Sequence, residues 1–242
     1  MDTISWKVAT SPAPFDSEDL HVWRYHLDPP AAKLPEAESV LSRDEMDRAT
    51  RFRFSIHRNR YVASRAQLRK ILGGYLLLPA SAISFIYSEF GRPSLQPALN
   101  SAGIAFNLSH SEDLCVVAVS ARRLLGIDVE RLRSDFGGEE IARSNFAPAE
   151  FRELLALPES ERPQAFFNCW TRKEAFVKAL GAGLQIPLDS FEVTLRTNEP
   201  ARFVRGTSAD WNLVSFTAEN GYQAAIAYNG APANLYYFTA DL

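Results

Sequence analysis

The chain has 242 residues, enough for one large domain or two smaller ones that each bury a core. Its 26 Lys and Arg residues against 29 Asp and Glu residues leave a formal net charge of −3, which disfavours a dedicated nucleic-acid-binding protein. No apolar stretch is long enough to span a bilayer, and the amino terminus lacks the pattern of a signal peptide. We therefore expect a cytoplasmic protein that does not bind membranes, in which Cys115 and Cys169 are buried free thiols.

The first half of the chain alternates predicted helices and strands. The sequence S-R-D-E at Ser42 is a capping box that starts a helix, because Glu45 stands three residues after the cap. Apolar residues at a helical period predict a longer helix from Asn59 toward Leu77, ended by the glycine pair Gly73-Gly74. Strands are predicted for three segments, 20–26, 83–87 and 104–108.

The second half repeats this mixture of helices and strands. Two β-rich runs, Leu114–Ser120 and Leu124–Glu130, are followed by helices at Pro148–Leu157 and Gln164–Leu180, the second ended by Gly181. The tail from residue 191 onward is strand-like. The segments 69–76 and 177–184 are similar, which suggests a duplicated protein of two lobes with a seam near residue 122 and a cleft between the lobes. We predict an N-terminal lobe of residues 1–121 and a C-terminal lobe of residues 122–242.

Two acidic motifs lie about forty residues apart in the two kinds of element. G-I-D-V-E places Asp128 and Glu130 on one face of a strand, and W-T-R-K-E-A-F-V-K places Trp170, Glu174 and Lys178 on one face of a helix. Either motif alone has an ordinary explanation, a solvated strand end or a helical ion pair. If the fold brings the two faces together, three carboxylates and an ammonium form a site for a divalent metal and a phosphate.

Two further groups suggest an anionic ligand. In F-N-L-S-H-S, Ser109 and His110 are adjacent on a strand and so point apart, which argues against a nucleophile–base pair. The hydroxyl and imidazole donors at this strand end could contact a phosphate, whereas His110 taken alone is by default a structural histidine. The stretch 43–70 contains nine Arg or Lys residues against three acids, and its guanidinium groups could hold a polyanion. Arg92 in G-R-P is a further candidate.

These motifs, in this order and spacing, resemble the 4′-phosphopantetheinyl transferases of the Sfp type. The similarity covers roughly residues 40–195. It rests on F-N-L-S-H-S, G-I-D-V-E and F-N-C-W-T-R-K-E-A-F-V-K-A-L-G-A-G-L, with G-R-P-S-L as a weaker fourth marker. The resemblance implies an α+β fold, a pseudo-dimer of two similar lobes, each with a small, mainly antiparallel sheet packed by helices. It also implies that coenzyme A binds between the lobes.

The resemblance carries specific roles onto this sequence. Asp128, Glu130 and Glu174 match Mg²⁺ ligands, with Mn²⁺ as an alternative ion, and Lys178 matches a contact to the pyrophosphate. The residues that match contacts to coenzyme A are Ser109, His110, Arg92, Arg48 and Arg60, with His110 near the 3′-phosphate and Arg92 near the adenine. Glu45 stands where a basic phosphate contact is expected.

The implied reaction transfers phosphopantetheine to a serine of an apo acyl, peptidyl or aryl carrier protein and releases adenosine 3′,5′-bisphosphate. A serine hydroxyl needs a proton acceptor, and we assign that role to Glu174, with Asp128 and Lys178 as further catalytic residues. We expect a monomer. The alternatives are a metal-dependent nuclease, which the acidic composition disfavours, and an inactive carrier-binding module, which the clustered acids disfavour.

Overall fold

The structure, a computed structural model, describes residues 4–13, 16–133, 138–181, 185–207 and 210–240. Its helices are α1 Leu34–Ser39, α2 Arg43–Ala49, α3 Ser55–Leu76, α4 Glu139–Asn145, α5 Pro148–Ala156 and α6 Arg162–Leu180. Its strands are β1 Lys7–Val8, β2 Asp19–His26, β3 Phe85–Tyr87, β4 Pro93–Leu95, β5 Ile104–Ser111, β6 Leu114–Ala121, β7 Leu125–Arg131, β8 Glu192–Val193, β9 Phe203–Arg205, β10 Trp211–Glu219, β11 Tyr222–Asn229 and β12 Asn234–Thr239.

Two main sheets form the centres of the two lobes. The first sheet has the order β1-β12-β2-β6-β5, in which β2, β6 and β5 pair antiparallel and β1 and β12 join in parallel. The second sheet has the order β10-β11-β7 and is antiparallel throughout. The ribbons β3-β4 and β8-β9 lie outside both sheets. The predicted α+β architecture is confirmed, with a long helix packed on each sheet.

The core is layered as helix, sheet, sheet and helix. Trp23 of β2 shares a buried cluster with Leu68 of α3, whereas the neighbouring Val22 shares a cluster with Ile127 of β7. Consecutive strand residues face opposite sides, so one face of the first sheet packs on α3 and the other packs on the second sheet. The far face of the second sheet packs on α6, where Ala225 belongs to a third cluster.

Helix α3 is longer than the sequence predicts. It begins at Ser55 and runs through the glycine pair to Leu76, and it ends at Leu77, whose φ of 54° is left-handed. The prediction that the glycines end the helix is wrong. A Cβ on Gly73 would lie 2.6 Å from the carbonyl oxygen of Leu78, so the glycine permits a close return of the chain rather than a helix end.

Other boundaries follow the signals in the sequence. Helix α2 begins after Ser42, whose N–H donates to Glu45 Oε2 at 3.0 Å and completes the predicted capping box. Helix α6 ends at Gly181, which has a φ of 70°. The elements that the sequence analysis did not anticipate include α1, α4, β1 and β4, each of which is too short to show a clear periodic pattern.

The last strand returns to the first lobe. Strand β12 pairs with β2, placing Leu235 opposite Leu20, although it follows the whole second sheet in the chain. A division after residue 121 therefore separates β6 from β7 but leaves β12 in the sheet of the N-terminal lobe. Of the internally similar segments, residues 182–184 lie outside the described residues.

Both cysteines match their prediction. Cys115 and Cys169 are buried and free, and burial raises the pKa of the Cys115 thiol to about 11. No helix within the described ranges combines the length and the apolar character that crossing a membrane requires.

Candidate active site

Strand β7 presents the first acidic motif to the helix α6. Ile127 and Val129 are fully buried in the core between the two sheets. Because side chains alternate along a strand, Asp128 and Glu130 point to the opposite face, on the side of α6. The sequence pattern predicts this separation of apolar and acidic faces, and the structure has it.

Gly126 allows β7 and α6 to approach closely. A Cβ at this position would lie 2.2 Å from the carbonyl oxygen of Ala175 and 2.3 Å from the backbone nitrogen of Ala179. No side chain fits at such distances, so the glycine of G-I-D-V-E sets the spacing of the strand and the helix. The sequence analysis assigned no role to this residue.

Asp128 and Lys178 form an ion pair where the two motifs meet. Lys178 Nζ lies 2.6 Å from Asp128 Oδ1 and 2.9 Å from Ser109 Oγ, and Ser109 donates to the same carboxylate oxygen at 2.8 Å. Asp128 is only 3% exposed, and its Oδ2 is buried without a hydrogen-bond partner among the described residues. A buried carboxylate oxygen is costly to leave without a donor or cation, so this oxygen is an available ligand.

Glu130 and Glu174 lie near this ion pair. Ser111 Oγ donates to Glu130 Oε2 at 2.8 Å. Burial raises the pKa of Glu130, and the charge of Asp128 raises it further. Burial followed by Asp128 likewise raises the pKa of Glu174, whereas the Lys178 ammonium opposes the shift. The three carboxylates are thus close enough to disfavour one another's charge.

The donor set suits a hard divalent cation. Across the part of the chain that the structure describes, no three His, Cys, Asp or Glu side chains already form a metal-binding cluster. The carboxylate oxygens are nevertheless the ligand type that Mg²⁺ prefers, and the Oδ2 of Asp128 has no hydrogen-bond partner among the described residues that would compete for it. A cation beside these carboxylates would remove the repulsion that, after burial, raises the pKa values of Glu130 and Glu174. The residues therefore fit a divalent metal ion.

Arg48, Arg60 and His110 line a common pocket on the first lobe. Arg48 lies over the ring of Tyr61, 5.5 Å from its centroid. Arg60 donates two hydrogen bonds to Asp28, at 2.8 and 2.7 Å, so it is held in place but partly neutralised. The pocket thus brings together three of the residues that the resemblance assigns to coenzyme A.

His110 links this pocket to the ion pair. It follows Ser109 on β5 and points the other way, toward the pocket of the arginines. Desolvation by the surrounding protein lowers the pKa of His110, and the positive charges of Lys178 and Arg60 lower it further. The imidazole is therefore within electrostatic reach of the cations on both sides.

Arg92 lines a cleft with Glu174 and Lys178, but its guanidinium is occupied by the backbone. It donates to the carbonyl oxygens of Lys178, Ala179 and Leu125 at 2.9, 3.2 and 3.0 Å. The last carbonyls of a helix lack helical partners, so Arg92 caps the carboxyl end of α6 and ties it to β7. Burial lowers the pKa of this guanidinium. Its position shapes the wall of the cleft.

Several cations of the arginine-rich stretch have internal partners. Buried Glu45 pairs with Arg65 at 2.6 Å and with Arg69 at 2.7 Å. Arg58 and Lys70 pair with glutamates of α1 at 2.7 and 2.8 Å. The stretch is therefore not one continuous binding surface for a polyanion. Glu45 stands where a basic phosphate contact was expected, and it anchors α2 to α3 instead.

Two polar residues of F-N-L-S-H-S have partners that the sequence analysis did not foresee. Asn107 Oδ1 accepts the N–H of Ile127 at 2.9 Å, and Ser111 holds Glu130. Together with Ser109 they occupy alternate positions of β5 and therefore share a face. This N-x-S-x-S alternation was the available signal, and it points toward β7 rather than toward solvent.

Comparison with known proteins places both lobes in one family. The model of the 4′-phosphopantetheinyl transferase superfamily matches residues 124–227. A second model, of the N-terminal part of a 4′-phosphopantetheinyl transferase, matches residues 26–122.

The chain is also similar to individual proteins. The chain is 39% identical over 214 residues to the 4′-phosphopantetheinyl transferase HetI of Nostoc sp. PCC 7120, covering 88% of this chain and 89% of the relative. It is 27% identical over 210 residues to the 4′-phosphopantetheinyl transferase Sfp of Bacillus subtilis strain 168, covering 86% and 91%. A holo-(acyl-carrier-protein) synthase of Bacillus anthracis, solved in complex with CoA, aligns at 18% identity and a TM-score of 0.36, covering 44% of this chain and 96% of that one.

Proposed function

This chain belongs to the 4′-phosphopantetheinyl transferase superfamily, and we propose that it transfers the phosphopantetheine group of coenzyme A to a serine of an acyl, peptidyl or aryl carrier protein. The observation that carries the proposal is the ion pair of Asp128 and Lys178 beside a cleft, with Glu130 and Glu174 close enough to feel the charges of this pair. An ammonium among three carboxylates suits the diphosphate of coenzyme A together with a divalent cation. No observation favours the nuclease alternative.

The two lobes would bind different parts of coenzyme A. Arg48, Arg60 and His110 of the N-terminal lobe would hold the phosphates of the nucleotide, with His110 near the 3′-phosphate. The cleft beside Arg92 would take the adenine, with the capped end of α6 as its wall. Residues 1–121 would then supply the nucleotide contacts and residues 122–242 the reacting groups.

Asp128, Glu130 and Glu174 would hold the metal ion, Mg²⁺ or alternatively Mn²⁺. When bound, such an ion neutralises charge on the diphosphate as its P–O bond breaks. Ser109 and Lys178 both bond Asp128 Oδ1, which leaves Oδ2 as the oxygen available to the ion.

Glu174 would accept the proton of the carrier serine, directly or through a water molecule. As that proton leaves, the serine oxygen bonds to the β-phosphorus of coenzyme A, and the bond from this phosphorus to the departing adenosine 3′,5′-bisphosphate breaks. Glu174 suits this role because its carboxylate lines the cleft beside Lys178. Lys178 would stabilise the negative charge of the leaving bisphosphate. We propose that the enzyme acts in the cytoplasm as a monomer.

A mass measurement tests this function. The protein, coenzyme A, Mg²⁺ and an apo carrier protein should yield a carrier heavier by one phosphopantetheine group. A carrier whose acceptor serine is replaced by alanine, and a reaction in excess EDTA, should show no increase. Absence of a mass shift across acyl, peptidyl and aryl carriers would contradict the proposal.

A further inference from the structure

The two sheets meet along β5 and β7, which are joined by side chains. Each strand lies at the edge of its own sheet, and neither pairs with the other through the backbone. The contacts advance together along both strands, from Asn107 with Ile127, through Ser109 with Asp128, to Ser111 with Glu130. The strands therefore run in the same direction, and a polar side chain at every second position of β5 sets their register.

Ser109 and Ser111 are each held between a nitrogen donor and a carboxylate acceptor. Ser109 Oγ lies 2.9 Å from Lys178 Nζ and donates its proton to Asp128 Oδ1. Ser111 Oγ accepts the N–H of Arg131 at 3.1 Å and donates its proton to Glu130 Oε2. A hydroxyl has one proton to donate, so a donor on its other side directs that proton to the carboxylate.

We propose that Ser111 is a positioning residue for Glu130, acting as Ser109 acts for Asp128, and that the two hydroxyls set which carboxylate oxygens face a bound divalent cation. This inference rests on the proposed function, because it concerns the same site. Each serine bonds one oxygen of its carboxylate and fixes the rotation of that group. At Asp128 the hydrogen bonds go to Oδ1 and leave the buried Oδ2 without a hydrogen-bond partner in the described part of the chain.

Ser111 tests the idea more cleanly than Ser109 does. Ser109 also bonds Lys178, so its loss would alter a group that we place against the diphosphate. The hydrogen bonds of Ser111 join it to Glu130 and to the backbone of Arg131. Removal of a group that orients a metal ligand typically weakens metal binding by about 10- to 100-fold. The loss of this hydroxyl should therefore appear as weaker metal binding.

The matched control is Ser120 on β6. Its hydroxyl is fully buried and, within the described residues, has no hydrogen-bond partner. Ser120→Ala removes the same atom from the same sheet without freeing a carboxylate, and replacing an unpaired buried hydroxyl costs little. Ser111→Thr is the conservative variant, because it keeps a hydroxyl on the same carbon and suits a strand.

The experiment measures binding of Mn²⁺ to the full-length protein with coenzyme A present and no carrier protein, by the electron paramagnetic resonance signal of unbound Mn²⁺. Ser111→Ala should weaken binding of Mn²⁺ about 10-fold or more. Ser111→Thr and Ser120→Ala should bind Mn²⁺ within about threefold of wild type, which lies below the lower limit for loss of an orienting group. In turnover, Ser111→Ala should need more Mg²⁺ for its half-maximal rate and recover most of that rate at saturating Mg²⁺. Its thermal midpoint should stay near that of wild type.

The outcomes separate this inference from the proposed function. A wild-type protein that modifies no carrier contradicts the function itself. A wild-type protein that modifies carriers while Ser111→Ala binds Mn²⁺ as tightly as wild type contradicts only the role of Ser111. Equal weakening by Ser111→Thr and Ser111→Ala also overturns it, since the shape of the residue and not its hydroxyl would then matter.

Discussion

Glu174 combines the properties that a proton acceptor in this cleft requires. It lines the cleft, stands one helical turn before Lys178 and has a pKa raised first by burial and then by Asp128. Lys178 opposes the shift, so the carboxylate is poised between attraction to the ammonium and repulsion by the neighbouring acid. Helical spacing predicts that Glu174 and Lys178 share a face of α6, but the repulsion by Asp128 depends on β7, which is distant in the sequence.

Replacing Glu174 by glutamine should stop transfer while leaving coenzyme A binding largely intact. The amide keeps the shape of the side chain but cannot accept the serine proton, so the turnover rate should fall about 10²- to 10⁴-fold. Carrier modification followed by mass spectrometry measures the rate, and calorimetry measures binding. The matched control is Glu153→Gln. This glutamate pairs with Arg196, neither residue lines the cleft, and the variant should keep wild-type turnover. Wild-type turnover by Glu174→Gln would remove Glu174 as the proton acceptor.

The raised pKa values also predict how stability changes with pH in the absence of metal. Glu130 and Glu174 have folded-state pKa values above their usual 4.5, so the folded state binds more protons than the unfolded state as pH rises above that value. The free energy of unfolding must therefore fall as pH rises from 4.5 through the raised pKa values. Urea denaturation in EDTA should show that Glu174→Gln loses less stability over this range than wild type. Parallel curves for the two proteins would contradict the raised pKa of Glu174.

At the scale of elements, the contact of β7 with α6 decides whether the two acidic motifs meet. Gly126→Ala should separate them, because its Cβ would overlap the backbone of the helix at Ala175 and Ala179. Overpacking at such a contact should cost about 3 kcal/mol of unfolding free energy, and transfer activity should fall with it. Gly221→Ala is the control. Its φ is 81°, but its Cβ would lie 3.7 Å from the side chain of Arg131, an ordinary contact, so only backbone strain of about 1–2 kcal/mol is expected. An equal loss in both variants, measured by urea denaturation, would argue against a steric role for Gly126.

The end of α6 depends on Arg92 in a similar way. Arg92→Lys keeps the charge, but a lysine ammonium lacks the planar, forked donors with which the guanidinium reaches three backbone carbonyls. The variant without ligand should therefore lose about 2 kcal/mol of unfolding free energy. The control Arg43→Lys changes an exposed arginine of α2 and should be neutral. Thermal and urea denaturation measure both. Unchanged stability combined with weaker coenzyme A binding would mean that Arg92 acts on the ligand and not on the helix.

The elements show where sequence patterns succeed and where they fail. The capping box at Ser42 and the C-cap at Gly181 are local signals, and both boundaries are confirmed. Gly73 has the same local signal as a C-cap, but a glycine is needed there because the backbone of Leu78 approaches it closely. No local sequence pattern encodes that approach. Gly126 lacks even a turn signal, since its role depends on a helix some fifty residues later in the chain.

At the scale of the molecule, the site exists because two lobes are packed through their sheets. The alternation of apolar and polar residues in β7 predicts its two faces, one of which enters the core with Val22 while the other carries Asp128. The return of β12 to the first sheet could not be predicted, because strand pairing between distant segments leaves no local pattern. The alternation in β5 shows that Ser111 shares a face with Ser109, but its partners on β7 could not be predicted for the same reason.

The most direct test of the account is a crystal structure with coenzyme A and Mn²⁺ bound, in which anomalous scattering locates the metal. We expect one manganese ion in contact with Asp128, Glu130 and Glu174 and with the diphosphate, with Lys178 beside the same diphosphate. Manganese bound elsewhere, or held by the diphosphate with the three carboxylates turned away, would contradict the claim that the two acidic motifs form one metal site.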